Sequence, residues 1–363
     1  MKALHILYSG LSGVGNFFFS FVQGDEEKKF EYEAIFFGKT IRDSYVEKCS
    51  DSHIKWKLIK KKYRIDITFN IALLKAVAQS DTDAIFLDGS RFILPVRLGV
   101  LFGKKKKKII VTERQANHLK RTSEWIGLVL AMFMADNIVF ITESFKDEIQ
   151  KKLKWIYQKK KIRVISNGID LNFFKPAPRH PISEKVTIGM QSRLVSIKDH
   201  PTLIKAFAIV KKQMPLLKTE LKIAGSGNQS ETLKTLVDQL KLNDYVIFTG
   251  LLNEKDLLDF MHSLDIYVHS SYGEVMSMAL MQAMACRVPI VASDVPGINN
   301  MIKNNDTGIL VPPKDETAMA NAVLDLINNK SHAEKIKNAA YNEATQHFSN
   351  KVMFEKYALL ADN

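Results

Sequence analysis

The sequence alternates short apolar segments with longer helix-compatible segments, and it does so in two successive series. In the first series the apolar segments are 3–8, 33–37, 84–87, 109–112, 137–141 and 163–166. In the second they are 186–190, 221–224, 246–249, 265–269 and 288–292. Such alternation predicts parallel sheets covered by helices on both faces. At 363 residues the chain is long enough for two α/β domains.

A linker separates the two series. The turn-prone pair Asn167-Gly168 is followed by prolines at 176, 178 and 181, a composition typical of turns and linkers. We therefore predict an N-terminal domain over residues 1–168 and a second domain that begins at 169. Two such domains joined by a linker predict a cleft between them as the ligand site.

The most informative stretch of the second series is Ser270–Gly297. It predicts a loop, a helix over Met276–Ala285 and a short strand. In such βαβ units, ligands bind at the carboxyl ends of strands, where helix N-termini face anions. Glu274 and Gln282 are spaced to hold two ends of one elongated ligand. The alternative is that Glu274 caps the helix and Gln282 lies on the surface.

Two basic residues follow the first strand of the second series. Arg193 lies just past the strand end, and Lys198 comes five residues later. A guanidinium and an ammonium group at a strand terminus suit a diphosphate. The alternative for these residues is a surface salt bridge, for example with Asp199.

The net charge of +13 is concentrated in the first half of the chain. Residues 1–170 carry 31 Lys and Arg against 19 Asp and Glu, whereas residues 171–363 carry 21 against 20. The densest parts are Lys104–Lys108 and the cluster Lys151–Lys161. Such a surface suits anionic lipid headgroups, or it is simply a solvated charge run. No zinc-ligand spacing or aromatic-interleaved motif supports nucleic acid binding.

The cysteine content and hydropathy bound the cellular setting. The two cysteines, Cys49 and Cys286, lie far apart, which favours a reducing cytosol over a disulfide framework. No run of 18 apolar residues predicts a membrane span. The D-x-D sequence Asp81-Thr82-Asp83 could bind a metal, but it precedes a buried strand and is more typical of a turn.

Five segments of the chain, taken together and in order, resemble the GT-B nucleotide-sugar transferases, specifically glycosyltransferase family 4. The segments are RVISNGIDLNFFKP, SRLVSIKDHPTLIKAF, LKIAGSGNQ, SSYGEVMSMALMQAMACRVPIVASDVPG and TGILVPPKD. The first half of the chain matches only by its pattern. The resemblance implies an α/β fold of two Rossmann-like parallel-sheet domains facing across a cleft. It also implies a nucleotide-sugar-binding domain over 169–345 and a C-terminal helix over 346–363 that crosses back to the first domain.

The resemblance also implies roles for individual residues. Arg193 and Lys198 would hold the diphosphate and stabilise charge on the leaving group, and Glu274 would lie beside the donor sugar. Further donor contacts would come from glycines, from the helix start, from the base pocket and from a ribose ligand. These residues are Gly13, Gly15, Gly225, Gly250, Leu251, Met276, Ser277 and Gln282.

Two positions depart from the family pattern. Gln282 stands where the second glutamate of the E-x7-E motif is expected, which predicts weaker nucleotide binding because one charge-assisted hydrogen bond is lost. Arg114 stands where relatives often have a histidine near the donor sugar, and His118 follows one helical turn later. Either residue could reach the acceptor or sugar side. Glu113 is a third candidate there, or it pairs locally with Arg114.

The function implied is that of a retaining glycosyltransferase. It would move a sugar from a nucleotide diphosphate sugar, with UDP favoured, to a hydroxyl of a lipid-linked glycan such as lipopolysaccharide or capsule. The resemblance implies no cofactor and no required metal, because the basic pair neutralises the diphosphate. The basic first half suggests a cytoplasmic enzyme that is peripheral on the inner face of the plasma membrane.

Three alternatives compete with this function. Gln282 and the absence of a histidine at position 114 also fit a non-catalytic nucleotide-sugar-binding scaffold. A dinucleotide oxidoreductase would need the order GxGxxG, but Gly10, Gly13 and Gly15 follow the order GxxGxG. A phosphorylase would share the architecture, but no cofactor-lysine motif is evident.

Overall fold

The structure is a computed structural model that describes residues 1–10, 13–63, 66–115, 117, 120–177 and 185–362. It divides into two compact units. Unit 1 comprises Met1–Gly168 and Ser349–Asn363, and unit 2 comprises Ile169–Phe348.

Unit 1 contains a seven-stranded sheet in the order β3-β2-β1-β4-β5-β6-β7, and all of its strand pairs are parallel. The strands are β1 (Lys2–Tyr8), β2 (Glu31–Gly38), β3 (Lys55–Lys60), β4 (Ala84–Asp88), β5 (Lys108–Glu113), β6 (Asn137–Phe140) and β7 (Ile162–Val164). The helices between them are α1 (Gly13–Gly24), α2 (Asp43–Asp51), α3 (Ile67–Gln79), α4 (Ile93–Phe102), α5 (Thr122–Met134) and α6 (Glu143–Lys152).

Unit 2 contains a six-stranded parallel sheet in the order β10-β9-β8-β11-β12-β13. Its strands are β8 (Lys185–Gln191), β9 (Lys218–Ala224), β10 (Val246–Gly250), β11 (Ile266–His269), β12 (Ile290–Ser293) and β13 (Ile309–Val311). Its helices are α7 (His200–Gln213), α8 (Ser230–Gln239), α9 (Glu254–His262), α10 (Met278–Ala285), α11 (Glu316–Asn328) and α12 (Lys330–His347). The predicted parallel α/β sheets are thus confirmed.

Two strands were not predicted from the sequence. The edge strand β3, KWKLIK, has lysines at three of its six positions and lies largely exposed, so its pattern resembles a solvated charge run. The strand β13 has only three residues and pairs with β12. Both lie at an edge of their sheet, where one side of the strand needs no buried apolar partner.

The last helix, α13 (Asn350–Asp362), belongs to unit 1. Its Phe354 ring packs 5.2 Å from that of Phe21 in α1, and the Tyr357 hydroxyl lies 3.1 Å from Thr112 Oγ1 in β5. Gly24 permits the close approach, because an added Cβ there would lie 2.2 Å from the Asn350 carbonyl oxygen. These contacts make α13 part of the unit 1 core.

Apolar side chains from both faces of each sheet form the cores of the two units. In the described residues, no helix has the length and apolar character needed to cross a membrane.

Candidate functional site

The carboxyl ends of the unit 2 strands form an edge at which backbone segments lie unusually close together. The Ser192 amide donates to Ala224 O at 3.0 Å, and the Gly225 amide donates to Gly250 O at 2.7 Å. A Cβ at Gly225 would lie 1.9 Å from Ser192 O, and the φ of Gly225 is +137°. This position therefore requires glycine. The predicted donor residues Gly225 and Gly250 thus lie together where β9 and β10 end.

Glu274 is the centre of a buried polar cluster at this edge. Its Oε1 accepts from His269 Nε2 at 2.8 Å and also from Lys198 Nζ. His269 ends β11, and its Nδ1 lies 3.1 Å from the hydroxyl of Tyr267. Lys198 and Glu274, predicted to serve one ligand, are therefore in direct contact. The predicted alternative, a salt bridge between Lys198 and Asp199, is therefore wrong. Lys198 pairs with Glu274, and Asp199 accepts from the Tyr272 hydroxyl at 2.7 Å.

The electrostatics of this cluster keep Glu274 ionised. Burial alone would raise the pKa of Glu274, but the His269 hydrogen bond and the Lys198 charge hold it at about 2. Burial lowers the pKa of His269, whereas the hydrogen bond to Glu274 and the charge of Glu274 act to raise it. Because an ionised carboxylate only accepts hydrogen bonds, His269 Nε2 is the donor to Glu274. The cluster therefore presents a fixed carboxylate and an ammonium group at the strand ends.

The loop that carries Glu274 is held by backbone contacts. The Tyr272 amide donates to Ile197 O at 2.9 Å, and Ser271 Oγ donates to the same oxygen at 3.0 Å. At Gly297, whose φ is +90°, an added Cβ would lie 2.3 Å from Glu274 O. These contacts join the Glu274 loop to the segment that carries Lys198, which fixes the position of the ion pair.

The helix after the loop begins two residues later than predicted. Ser277 is its N-cap, with Oγ accepting from the Leu280 amide at 3.4 Å. The alternative in which Glu274 caps this helix is therefore wrong. Ser277 and Met276 are both buried.

Gln282 is buried rather than on the surface, which corrects the second alternative for this stretch. Its side chain is 9% exposed, and its Oε1 has no hydrogen-bond partner among the described residues. Buried amide oxygens are rarely left without a donor. The Gln282 Oε1 atom therefore lacks the donor that a buried amide oxygen usually has.

Two further predicted donor residues are exposed at this edge. Arg193 follows β8, and its guanidinium has no partner among the described residues. Leu251 follows β10 and is 81% exposed. Both side chains are accessible to a ligand.

In unit 1, a cavity of about 340 Å³ lies at the carboxyl ends of the strands. Its walls combine aromatic rings with charged side chains. The lining includes Tyr8, Phe37, Phe92, Asp88, Glu113 and Arg114. Aromatic faces with a few polar groups are the usual lining of a small-molecule site.

Two ion pairs lie beside this cavity. Glu113 pairs with Lys120 at 2.9 Å, with both side chains almost fully buried. Arg114 Nε donates to Asp88 Oδ1 at 3.1 Å, and its guanidinium lies 3.4 Å from the centre of the Phe17 ring. The hypothesis that Glu113 pairs with Arg114 is therefore wrong.

The Asp88–Arg114 pair is incompletely satisfied. Asp88 Oδ2 and Arg114 Nη2 are buried and have no hydrogen-bond partner among the described residues. Burial raises the pKa of Asp88 to about 6, although the Arg114 charge opposes the shift. This carboxyl group therefore titrates close to neutral pH, unlike Glu274 of unit 2.

The remaining predicted positions in unit 1 are less informative. His118 lies outside the described residues. Gly13 and Gly15 lie in the first turn of α1, where a Cβ at Gly15 would lie 2.1 Å from the Tyr45 hydroxyl oxygen.

No cluster of three or more metal-ligating His, Cys, Asp or Glu side chains occurs among the described residues. The D-x-D carboxylates lie at the amino end of β4. Lys105 Nζ is 2.7 Å from Asp83 and 3.5 Å from Asp81, and Lys2 Nζ is 3.1 Å from Asp81. These carboxylates pair with lysines.

Three residues of the two sites escaped the sequence-based prediction of roles: the buried His269 and Lys120 and the partly buried Asp88. His269 and Asp88 each end a buried strand. A polar residue at that position of a parallel strand is the sequence signal that could have identified them.

Comparison with known proteins places this geometry in a family. Residues 174–343 match the profile described as "Glycosyl transferases group 1", and residues 11–173 match "Glycosyltransferase Family 4". An uncharacterized glycosyltransferase of Methanocaldococcus jannaschii is 26% identical over 321 residues, which cover 83% of this chain and 76% of that protein.

Solved structures share the fold at low sequence identity. The Anabaena protein HepE in complex with UDP and glucose has a TM-score of 0.80 at 17% identity, with 100% of both chains covered. The apo form of the lipopolysaccharide outer core galactosyltransferase WaaB has a TM-score of 0.76 at 16% identity, with 99% of both chains covered. The two profiles together span nearly the whole chain, and its two parallel α/β units match these structures. The chain therefore belongs to the group 1 and family 4 glycosyltransferases and has the GT-B fold.

Proposed function

We propose that this glycosyltransferase transfers a sugar, with retention of the α configuration, from a nucleotide diphosphate sugar to a hydroxyl group of a lipid-linked cell-surface glycan. The observation that carries the proposal is the contact of Lys198 and Glu274 at the carboxyl edge of unit 2, where the exposed Arg193 follows β8. Cationic groups at this edge suit a diphosphate, and a fixed carboxylate suits sugar hydroxyls.

The proposed reaction needs no side-chain nucleophile. The acceptor oxygen forms a bond to the anomeric carbon while the bond from that carbon to the diphosphate oxygen breaks. The nucleotide diphosphate leaves with the electron pair, and the acceptor proton passes to the departing phosphate on the same face. Arg193 and Lys198 stabilise the charge that develops on the phosphate. This arrangement would work without a metal, so we expect turnover to survive EDTA.

UDP is the favoured nucleotide in this proposal. HepE was solved with UDP and glucose, and Gln282 Oε1 is buried without a partner, as a ribose ligand would be before nucleotide binds. The lipid-linked acceptor follows from the basic first half and from the likeness to a lipopolysaccharide galactosyltransferase. That acceptor would keep the enzyme at the inner face of the plasma membrane.

Thermal unfolding with UDP, GDP, ADP, CMP and NADH tests the proposal. A ligand at a hundred times its Kd stabilises its unit by ~2.7 kcal/mol, a shift of several degrees. We expect the shift with UDP and its loss in Arg193→Ala. A shift with NADH alone would contradict the proposal.

A non-catalytic nucleotide-sugar-binding scaffold is the second candidate, because Gln282 replaces the motif carboxylate. Donor hydrolysis distinguishes the two functions. Slow release of UDP from UDP-sugar by the wild type, and not by Lys198→Ala, supports the enzyme. Binding without hydrolysis or transfer supports the scaffold. The anomeric configuration of the product, read by NMR, tests retention.

A further inference from the structure

Helices α4 and α5 of unit 1 carry apolar residues on the side that faces solvent. In α5 the outward positions are Ile126, Val129, Leu130 and Phe133, spaced i, i+3, i+4 and i+7. Ile126 and Phe133 are exposed, and the other two are half-buried. This spacing places all four side chains on one face of the helix. Soluble helices normally turn such a stripe inward and leave charges outside.

The outward side of α4 repeats the pattern with one charge. Leu94, Arg97, Leu98 and Leu101 share one face, and the helix ends at Phe102. Leu101 is 62% exposed and Phe102 is 73% exposed. The opposite face, which includes Val96 and Val100, is buried. Since α4 packs against both α3 and α5, its inner face has partners, whereas Leu94, Leu101 and Phe102 on its outer side are exposed.

The two helices are adjacent, so their outer sides form one surface, the α4–α5 face, which consists of Leu94, Leu98, Leu101, Phe102, Ile126, Val129, Leu130 and Phe133. Gly127 fixes the start of α5 against the turn before α4, since a Cβ there would lie 2.7 Å from Ser90 O. Exposed leucines elsewhere, such as Leu216, are single residues, which is normal for a protein surface.

Cationic side chains border this face. Leu101 and Arg97 line the same cavity of about 850 Å³ as Lys104–Lys108. Lys104 and Lys106 are exposed and form no ion pair in the part of the chain that the structure describes. Near the start of α5, Lys152 Nζ lies 3.9 Å from the centre of the Trp125 ring. Three carboxylates line the cavity: Asp83 binds Lys105, Asp136 accepts from the Ile109 amide, and Asp362 lies at the end of α13.

We infer that the α4–α5 face, together with the exposed Lys104 and Lys106, docks on the surface of an anionic lipid bilayer. An apolar face flanked by lysines matches both layers of such a surface: the apolar side chains enter the acyl boundary, and the ammonium groups contact the phosphates. The charge complementarity favours lipid over a neutral protein partner. The inference deepens the membrane association within the proposed function and rests on it only for the nature of the acceptor.

The position of this face has a consequence for the acceptor. Phe92, just before α4, and Glu124, in the first turn of α5, both line the cavity of about 340 Å³. The lysines lie at the other end of α4, about 15 Å away along a helix of this length. With the face on the bilayer, the opening of this cavity lies beside the lipid surface. A lipid-linked glycan could then enter without leaving its membrane.

Vesicle flotation tests the inference. The full chain is mixed with vesicles of phosphatidylcholine alone or of equal parts phosphatidylcholine and phosphatidylglycerol. We expect binding to the anionic vesicles only, and binding at least about tenfold weaker in Leu101→Gln/Phe102→Gln. Lys104→Glu/Lys106→Glu should lose a similar amount. Leu216→Gln and Lys57→Glu/Lys60→Glu, on exposed sites elsewhere, are matched controls that should bind like the wild type.

Each other outcome overturns the inference. Equal loss in Lys57→Glu/Lys60→Glu would mean that net charge alone drives binding. Wild-type flotation of Leu101→Gln/Phe102→Gln would mean that the face takes no part. A change from dimer to monomer in that variant, without altered flotation, would assign the face to a second copy of the chain. The UDP-induced thermal shift, measured on every variant, reports separately on folding and on the proposed function.

Discussion

The carboxyl edges of the two sheets are built from the same kinds of residue but differ in how their charges are satisfied. At the unit 2 edge, Glu274 is held by Lys198 and His269, while Arg193 remains exposed and unpaired among the described residues. At the unit 1 edge, Glu113 and Lys120 form a closed, almost fully buried pair beside aromatic rings. One edge therefore presents positive charge, and the other is close to neutral.

This difference means that the two edges suit different kinds of ligand. An edge with an accessible guanidinium and an ordered ammonium group suits a diphosphate, whereas an aromatic cavity with neutralised charges suits an uncharged sugar. The difference also separates two roles for ion pairs. In unit 1 the Glu113–Lys120 pair is almost fully buried, whereas in unit 2 the Lys198–Glu274 pair is partly exposed, as the proposed diphosphate site requires.

The largest effect is expected from breaking the buried Glu113–Lys120 ion pair of unit 1. Lys120→Met leaves Glu113 buried without its cation, which should cost ~3–5 kcal/mol of unfolding free energy. Urea denaturation at neutral pH measures it. Glu113→Gln/Lys120→Met should recover most of the loss because both charges are removed. Lys234→Met, which breaks an exposed pair with Glu231, should cost under ~1 kcal/mol. An equally small loss in Lys120→Met would contradict the closed-pair description.

Opening the unit 2 pair should affect turnover more than stability. Lys198→Ala removes the cation that we propose contacts the leaving diphosphate, so we expect kcat to fall by roughly 10²–10³-fold. Steady-state transfer assays measure the effect. Lys205→Ala, an exposed lysine in α7, is the matched control and should keep wild-type turnover. Wild-type kcat in Lys198→Ala would remove the functional distinction between the two edges.

The two edges should respond to acid in opposite directions. The pKa of Asp88 is raised to about 6 in the folded state, so its ionisation destabilises the fold as pH rises from about 4 to 6. The pKa of Glu274 is lowered to about 2, so its contribution is present above about pH 4.5 and is lost as pH falls towards 2. Each contribution amounts to at most about 3 kcal/mol.

Urea unfolding between pH 2.5 and 7 tests both signs. In the wild type the unfolding free energy should fall as pH rises from 4 to 6, and Asp88→Asn should remove that fall. The unfolding free energy should also fall as pH drops below 4.5, and Glu274→Gln should reduce that fall. The same pH profile in Asp88→Asn and wild type would show that burial does not raise the pKa of Asp88.

The smallest effect concerns the missing carboxylate of the motif. Gln282→Glu should tighten UDP binding about fivefold, since it adds one charge-assisted hydrogen bond worth ~1 kcal/mol. Isothermal calorimetry measures the Kd. Gln239→Glu, the same change at an exposed position in α8, should leave it unaltered. An unchanged Kd in Gln282→Glu would show that this residue does not contact the ribose.

The sequence predicts the buried strands well because their apolar runs leave few alternatives. Because parallel strands bring their carboxyl ends to one edge, it also predicts that Arg193, Lys198 and Glu274 lie at the same edge, where Lys198 and Glu274 are in contact. The edge strand β3 was missed because, being largely exposed, it has little apolar signal, and β13 was missed because it has only three residues.

Partnerships that depend on sheet order could not be predicted in the same way. Asp88 meets Arg114 because β4 lies next to β5, and strand neighbours are not visible in sequence order. The pairing of Glu113 with Arg114 failed for a local reason. Successive side chains at the end of a strand point to opposite faces, so the two neighbours reach different partners.

The return of α13 to unit 1 affects the order in which the chain can fold during synthesis. Phe354 and Tyr357 fill the core beside α1 and β5, yet about 180 residues of unit 2 are made between that core and these side chains. All residues of unit 2 have been synthesised while the core of unit 1 still lacks helix α13. All of unit 2 therefore leaves the ribosome before α13 does, and the apolar surface of unit 1 that α13 covers stays open until Phe354 and Tyr357 have been made.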